Sequence, residues 1–444
     1  MNFNIGLVSL GCAKNQTDAE TMLAILQDEG YTIVSEPEDA DAIIVNTCGF
    51  IDSAKQESIN TTLEMAQYKT DGKCKLLIMT GCLAERYAKD ITDELPEVDA
   101  VLGTGDYDKI AEIIKSAKES ASVPVITDNI NHTPECALPR VLLTPPYTAY
   151  LKIADGCDNN CTYCAIPKIR GHFRSRKPKD IISEAKDLRD RGVKELILIA
   201  QDTTRYGTDI GTTLAELLDE LAKLDGIEWI RVHYYYTEAI TKELIDTMAK
   251  HDNICNYIDM PIQHADNYIL RRMARRTTVE EIEEKIAYMR KTLKNCYIRT
   301  SIIVGFPGET EEHFKNLYDF VERTKFDRMG VFTYSCEEGT PAAEFDMQIP
   351  EDIKEQRYDA LMTLQQGISL ELNQAKIGTV IDVIVEGYDE DNFLFYGRSR
   401  GDSIDVDGMV YFGTEDEVSP GDIIKVKILD ASEYDLTGQR VETK

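Results

Sequence analysis

Asn4-Ile5-Gly6-Leu7-Val8-Ser9-Leu10-Gly11-Cys12, Asp41-Ala42-Ile43-Ile44-Val45-Asn46-Thr47-Cys48 and Lys75-Leu76-Leu77-Ile78-Met79-Thr80-Gly81-Cys82 share one form. Each is a short apolar run that ends in cysteine and is followed by a helical pattern. Such runs, closed by turn residues, predict buried parallel strands. In a sheet of βα units the carboxyl ends of the strands share one edge, where ligands bind. Three thiols far apart in sequence then meet in space. Each cysteine alone is more ordinarily a small buried hydrophobe; three at equivalent strand ends point to ligation of a metal centre.

Outward from these runs, residues 1–120 read as an open parallel α/β sheet. Asn15, Thr17, Asp18 and Glu20 open the first helix, 98–103 forms a further strand, and a helix spans about 106–118. Residues 121–147 carry Pro124, Pro134, Pro139, Pro145 and Pro146 with little periodicity and read as a linker or a crossover connection. From Thr148 a second α/β series begins, with strands at 148–153, 194–200, 229–234, 257–262, 298–304 and 329–335. Six strands with intervening helices predict a partial barrel, a (βα)6 array. This unit spans 148–374 and ends in a helix from about Glu351. Residues 375–444 switch to period two, with five short strands predicting a small antiparallel, OB-like barrel.

A second cysteine set, Cys157-Asp158-Asn159-Asn160-Cys161-Thr162-Tyr163-Cys164, follows the first barrel strand. Thiolates are the usual ligands of iron–sulfur clusters, and three on one loop hold three irons of a 4Fe-4S cluster and leave the fourth open. Zinc is the alternative; it normally takes four ligands, and only His172 stands near. The other cysteines, Cys74, Cys136, Cys255, Cys296 and Cys336, have no matched spacing and read as core or incidental. Eleven cysteines in all suit a reducing compartment. Met1-Asn2-Phe3-Asn4 has no basic leader, and no apolar run approaches a membrane span; the expected location is cytoplasmic.

The cysteine spacing, with Tyr163 before the third cysteine and a barrel strand before the loop, resembles the radical S-adenosylmethionine enzymes. The resemblance implies that the open iron binds S-adenosylmethionine. It also implies that Tyr163, Gln201, Gly305 and Gly308 contact that cofactor, Gly305 and Gly308 lying against adenine and Gln201 near the methionyl moiety. Ser9-Leu10-Gly11-Cys12 with Asn15 and Glu20, Asn46-Thr47-Cys48 and Thr80-Gly81-Cys82 extend the resemblance. The whole chain is similar to the methylthiotransferases, with an N-terminal three-cysteine domain, a radical barrel and a C-terminal TRAM domain. That implies two 4Fe-4S clusters, one on Cys12, Cys48 and Cys82 that carries sulfur and one on Cys157, Cys161 and Cys164. It also implies two S-adenosylmethionine molecules, a sulfur donor and an electron donor of flavodoxin or ferredoxin type.

The family has a branch acting on adenosine in tRNA and a branch acting on the β-carbon of an aspartate in small-subunit ribosomal protein S twelve. The chain carries 49 basic and 79 acidic side chains, a net charge of −30, and residues 372–444 alone carry 16 acidic against 7 basic. That charge repels phosphate backbones and suits a basic protein. Ala200-Gln201-Asp202-Thr203-Thr204-Arg205-Tyr206-Gly207 and Ile166-Pro167-Lys168-Ile169-Arg170-Gly171 also resemble the protein branch. The expected partner is therefore the ribosomal protein, with tRNA as the alternative. Arg170, Arg174 and Arg176 form a basic cluster whose expected role is surface solvation or helix-end pairing. Tyr234-Tyr235-Tyr236 and Gln263-His264, at barrel strand ends, are candidates to face substrate.

Overall fold

A computed structural model describes residues 3–119, 122–127, 129–132 and 139–442. Cys136 and Pro134 lie outside the described residues.

The three cysteine-terminated runs form strands Asn4–Ser9, Ala42–Thr47 and Leu76–Gly81, the latter two buried on both faces. They are the centre of a wholly parallel six-stranded sheet. Its spatial order is Thr32–Ile33, Asn4–Ser9, Ala42–Thr47, Leu76–Gly81, Ala100–Leu102 and Val125–Ile126. The order reverses between Asn4–Ser9 and Ala42–Thr47, and a crevice opens beyond the strand ends at such a switch point. Cys12 and Cys48 leave the two strands flanking that crevice, and Cys82 leaves the next.

Val125–Ile126 lies inside the stretch read as a linker, yet it pairs onto the sheet edge. Arg140, further along the same stretch, is tied to Glu20 of the first helix and to Glu184 of the barrel. These residues are therefore built into the packing rather than spacing two units.

The second unit has parallel strands Thr148–Lys152, Glu195–Ile199, Trp229–Val232, Tyr257–Asp259, Tyr297–Val304 and Arg328–Thr333. Hydrogen bonds group them three and three, and a single bridge, Ile230 to Ile254, joins the groups into one arc. Among the described residues no strand closes the arc. Helix Ala13–Asp28 packs on Thr148–Lys152 at one edge, and helix Glu351–Gln374 packs on Arg328–Thr333 at the other. One large apolar core fills the space between the arc and its helices, including Leu151, Leu198, Ile230, Ile258, Ile302 and Phe320.

The last unit is a closed five-stranded barrel of Val380–Asp389, Leu394–Ser399, Val410–Gly413, Ile423–Ala431 and Leu436–Arg440. Its pairings are antiparallel, apart from Val410–Gly413 with Leu436–Arg440, which is parallel. Residues 398–407 plug the end of the arc where its strands begin. Arg398 reaches Glu195 at 2.7 Å, Arg328 reaches Asp402 at 2.6 Å and Tyr257 donates to Asp407 at 2.7 Å. That end is opposite the one from which the Cys157–Cys164 loop leaves.

Candidate active site

Asn15 ties together the ends of the three strands that lead into Cys12, Cys48 and Cys82. Its side-chain amide donates to the Leu10 carbonyl at 3.1 Å and to the Thr47 carbonyl at 2.8 Å, which links the Cys12 and Cys48 strand ends. Its Oδ1 lies 3.5 Å from the Cys82 Sγ. Asn46 adds a second staple by donating to the Asn15 carbonyl at 2.7 Å. The glycines before Cys12 and Cys82 have φ of 89° and 92°, a left-handed region that favours glycine. A Cβ on Gly11 would stand 2.9 Å from that of Cys48, and one on Gly81 2.5 Å from Asn46 Oδ1. Gly-Cys is thus the junction that lets neighbouring strand ends close on one another.

These thiols face cations. Burial pushes Cys82 up to about 12, with Arg170 opposing it. Burial also raises Cys48. At Cys12 burial is outweighed by Lys14 and Arg170, and the thiol is held below its usual value. Lys14 is buried with its Nζ 3.3 Å from the centre of the Tyr234 ring. Tyr234 has a φ of 59°, costly for an aromatic residue, and its N–H donates to Asp259 at 3.0 Å. Cys12 itself opens onto a cavity of about 610 Å³ lined also by Gln16, Tyr147, Glu386, Tyr396 and Asp405, where the sheet edge meets the C-terminal barrel.

The Cys157–Cys164 loop is closed at its base. The Cys157 N–H donates to the Gly171 carbonyl at 3.1 Å, and Ala154–Asp155 pairs antiparallel with Arg174–Ser175. The Tyr236 hydroxyl lies 3.3 Å from the Cys161 Sγ. Burial pushes Cys157 up to about 11, and burial likewise raises Cys164. Tyr163 packs with Ile269, Met273, Phe306, Tyr334 and Ala342, which ties the loop to the segment carrying Gly305 and Gly308. Gly305 and Gly308 have φ of 71° and 86°. A Cβ on Gly305 would stand 2.2 Å from Lys354 Cγ, so packing already demands glycine there. Asp202, fully buried, accepts from Asn159 at 2.8 Å and so braces the cysteine loop. Gln201 donates to Asp155 at 2.8 Å, while its Oε1 and the Oδ1 of Asn159 are buried without a partner.

Two expectations change, and the histidine named for the zinc alternative is turned away. Arg170, Arg174 and Arg176 are not surface charges. Arg170 is 2% exposed and inserts into the first thiol site, with Asp18 at 2.6 Å, Asn15 at 2.5 Å and Cys82 Sγ at 3.7 Å. Arg174 donates to the carbonyls of Arg170 and His132, and Arg176 to Glu184 at 2.6 Å. Buried carboxylates and carbonyls claim all three. His172 is exposed and engaged with Asp158 at 2.8 Å, so it is not turned to the thiols as a fourth ligand. Of the Tyr triplet, only Tyr234 and Tyr236 face the sites. Tyr235 points into the core toward Met248, and His264 is fully buried 3.4 Å from Glu309.

Sequence reasoning passed over Lys14, and it missed the contact of Tyr236 with Cys161 and the true place of Arg170. The available signals were a lysine two residues after Cys12 and an arginine between the buried Ile169 and the turn glycine Gly171.

Comparison with known proteins bears directly on this arrangement. Residues 4–103 match the uncharacterized protein family UPF0004, residues 151–321 the radical SAM superfamily and residues 377–441 the TRAM domain. The ribosomal protein uS12 methylthiotransferase RimO of Clostridioides difficile is 54% identical over 436 residues, 98% of each chain. The chain belongs to this methylthiotransferase family. A second member, from Desulforamulus reducens, is 52% identical over 98% of this chain and 99% of its own. Two solved radical S-adenosylmethionine enzymes are similar to this chain in fold at low identity. TsrM from Kitasatospora setae has a TM-score of 0.58 at 12% identity, covering 82% of this chain and 89% of its own. OxsB has a TM-score of 0.52 at 14% identity, covering 83% and 56%.

Proposed function

We propose that this chain adds a methylthio group to the β-carbon of an aspartate in ribosomal protein uS12, using two S-adenosylmethionine molecules and two 4Fe-4S clusters. The observation that carries this reading is two separate three-thiol sites placed side by side, in a chain 54% identical across 98% of its length to a uS12 methylthiotransferase. The donor chemistry of each set suits a cluster. Each site offers three cysteines and, with His172 turned away, no fourth ligand beside the second set. When bound, the Cys157, Cys161 and Cys164 cluster supplies one-electron cleavage of S-adenosylmethionine, and the Cys12, Cys48 and Cys82 cluster supplies sulfur.

The chain's own residues hold and orient. The Tyr236 hydroxyl faces Cys161, and N–H groups of Asn159 and Ile166 face Cys157 and Cys164; hydrogen bonds to ligand sulfurs tune such clusters. Gln201 Oε1 and Asn159 Oδ1, buried acceptors without partners, suit the ammonium of a bound S-adenosylmethionine. Tyr163 packs on Phe306, which lies between Gly305 and Gly308, and these three are the proposed adenine side. The target aspartate approaches past Tyr234 and Tyr236, which face the two sites from one segment.

The acidic C-terminal barrel favours a basic ribosomal protein over tRNA. The reading requires an outside sulfur source and a one-electron donor of flavodoxin or ferredoxin type, and it places the work in the cytoplasm. Among the described residues no helix is long and apolar enough to cross a membrane. Anaerobically reconstituted protein, with S-adenosylmethionine, sulfide and reductant, should leave one methylthio group on one aspartate of uS12 by mass spectrometry. Modification of tRNA with uS12 untouched would overturn the substrate assignment.

A further inference from the structure

Around the first thiol site the cations outnumber the carboxylates they pair with, and the remaining partners of Lys14 and Arg170 include the thiols themselves. Lys152, Arg170 and Arg174 share two carboxylates, Asp18 and Asp155, in one connected group, and Lys14 stands apart from it. Lys152 lies 2.5 Å from Asp18 and 3.3 Å from Asp155. Arg170 lies 2.6 Å from Asp18 and 3.5 Å from Asp155, and Arg174 lies 4.0 Å from Asp155. Lys14 is without a carboxylate among the described residues; its neighbours are the Tyr234 ring and Cys12. Lys14 is 8% exposed and Arg170 2%, so water does not neutralise them. Buried charge left uncompensated is costly, and a surplus of one sign marks where the opposite sign binds.

Resting on the reading above, we infer that Lys14 and Arg170 form a cationic seat that favours an anionic sulfur ligand, of the hydrosulfide class, on the Cys12, Cys48 and Cys82 centre. The two cations approach from different sides. Lys14 comes from the first helix beside Cys12, and Arg170 comes from the barrel loop onto Cys82 and Asn15. Arg170 is six residues past Cys164, so the same guanidinium also fixes the radical loop relative to the sulfur site. It is a positioning residue: it sets charge and register and does not itself react. The event it favours is addition of hydrosulfide to an open ligand position, with no change of oxidation state.

The test titrates sodium hydrosulfide into fully loaded, anaerobic protein and follows the electron paramagnetic resonance of the N-terminal cluster. It compares the parent chain with Arg170→Gln, Arg170→Lys and Lys14→Met, with iron counted in each. The expected result is binding weakened about ten-fold or more in Arg170→Gln and Lys14→Met, the size of a lost charge-assisted contact in a desolvated site. Arg170→Lys should recover most of it. Unchanged affinity in the loaded glutamine and methionine variants would overturn the inference and leave the arginine a structural residue. If Arg170→Gln fails to load iron, Lys14→Met alone decides by the same criterion. If the parent chain, fully loaded, shows no response to hydrosulfide, the sulfur-carrier reading itself fails, a result distinct from equal binding in parent and variants.

Discussion

The two three-cysteine sets stand in different electrostatic settings. The Cys12, Cys48 and Cys82 site is built from strand ends of a sheet and faces a surplus of buried cations, Lys14 and Arg170 foremost. The Cys157, Cys161 and Cys164 site sits on one loop among balanced pairs, Arg205 with Asp202 at 3.4 Å and Arg275 with Glu238 at 3.3 Å, and aromatic hydroxyls. A site that must take up and release anionic sulfur gains from fixed positive charge. A site that binds a zwitterionic cofactor needs unpaired acceptors and near-neutral walls, and under the proposed function Gln201 Oε1 and Asn159 Oδ1, buried without partners, would be those acceptors. Under the proposed function, the surroundings of the thiols, more than the thiols, divide the labour.

The largest effect should come from Cys161→Ala, because two thiolates do not secure the cube. Formation of 5′-deoxyadenosine, measured by chromatography, should fall below detection while the N-terminal iron stays. Cys48→Ala should do the reverse, with S-adenosylmethionine cleavage retained and methylthio product absent by mass spectrometry. Full product from that variant would erase the distinction between the sites.

Glu195→Ala tests the far end of the barrel. Glu195 is fully buried between Arg231 at 3.0 Å and Arg398 at 2.7 Å. Removing it leaves the buried Arg231 guanidinium without a carboxylate and Arg398 with Glu386 alone, with an expected loss of about 3–5 kcal/mol in denaturant unfolding. The spectra of both clusters should be unaltered in the folded fraction. Burial alone would raise the Glu195 carboxyl, but Arg398 and Arg231 hold it down at about 2 from an ordinary 4.5. Because the folded value is depressed, its stabilisation is present above about pH 4.5 and is lost as pH falls through about 2. Acid titration of the parent chain should show that loss, and Glu195→Ala should lack it.

The smallest effect belongs to Tyr236→Phe, which removes one hydroxyl beside Cys161. A change of about 1 kcal/mol, a few-fold in cleavage rate, is expected. The spectrum of the radical cluster should shift and that of the N-terminal cluster should not.

Much of this was legible in the chain. The apolar runs ending at Cys12, Cys48 and Cys82 had to be parallel strands, and parallel strands place those cysteines on one edge. The barrel strands and the long helix Glu351–Gln374 followed from period alone. Thr32–Ile33 and Val125–Ile126 escaped because two residues show no periodicity. Arg170 escaped for another reason: its partners Cys82 and Asn15 lie 88 and 155 residues away, and composition reads a clustered arginine as solvated. The Tyr triplet divides only once the backbone is known, since the left-handed turn at Tyr234 sends alternate rings to opposite sides.

Metal analysis and oxygen-free Mössbauer spectroscopy of intact, reconstituted protein bear most directly on the two-site account. It predicts about eight irons per chain in two distinguishable cubes, falling to about four in either Cys161→Ala or Cys48→Ala. About four irons in the parent chain, in one cube, would contradict it.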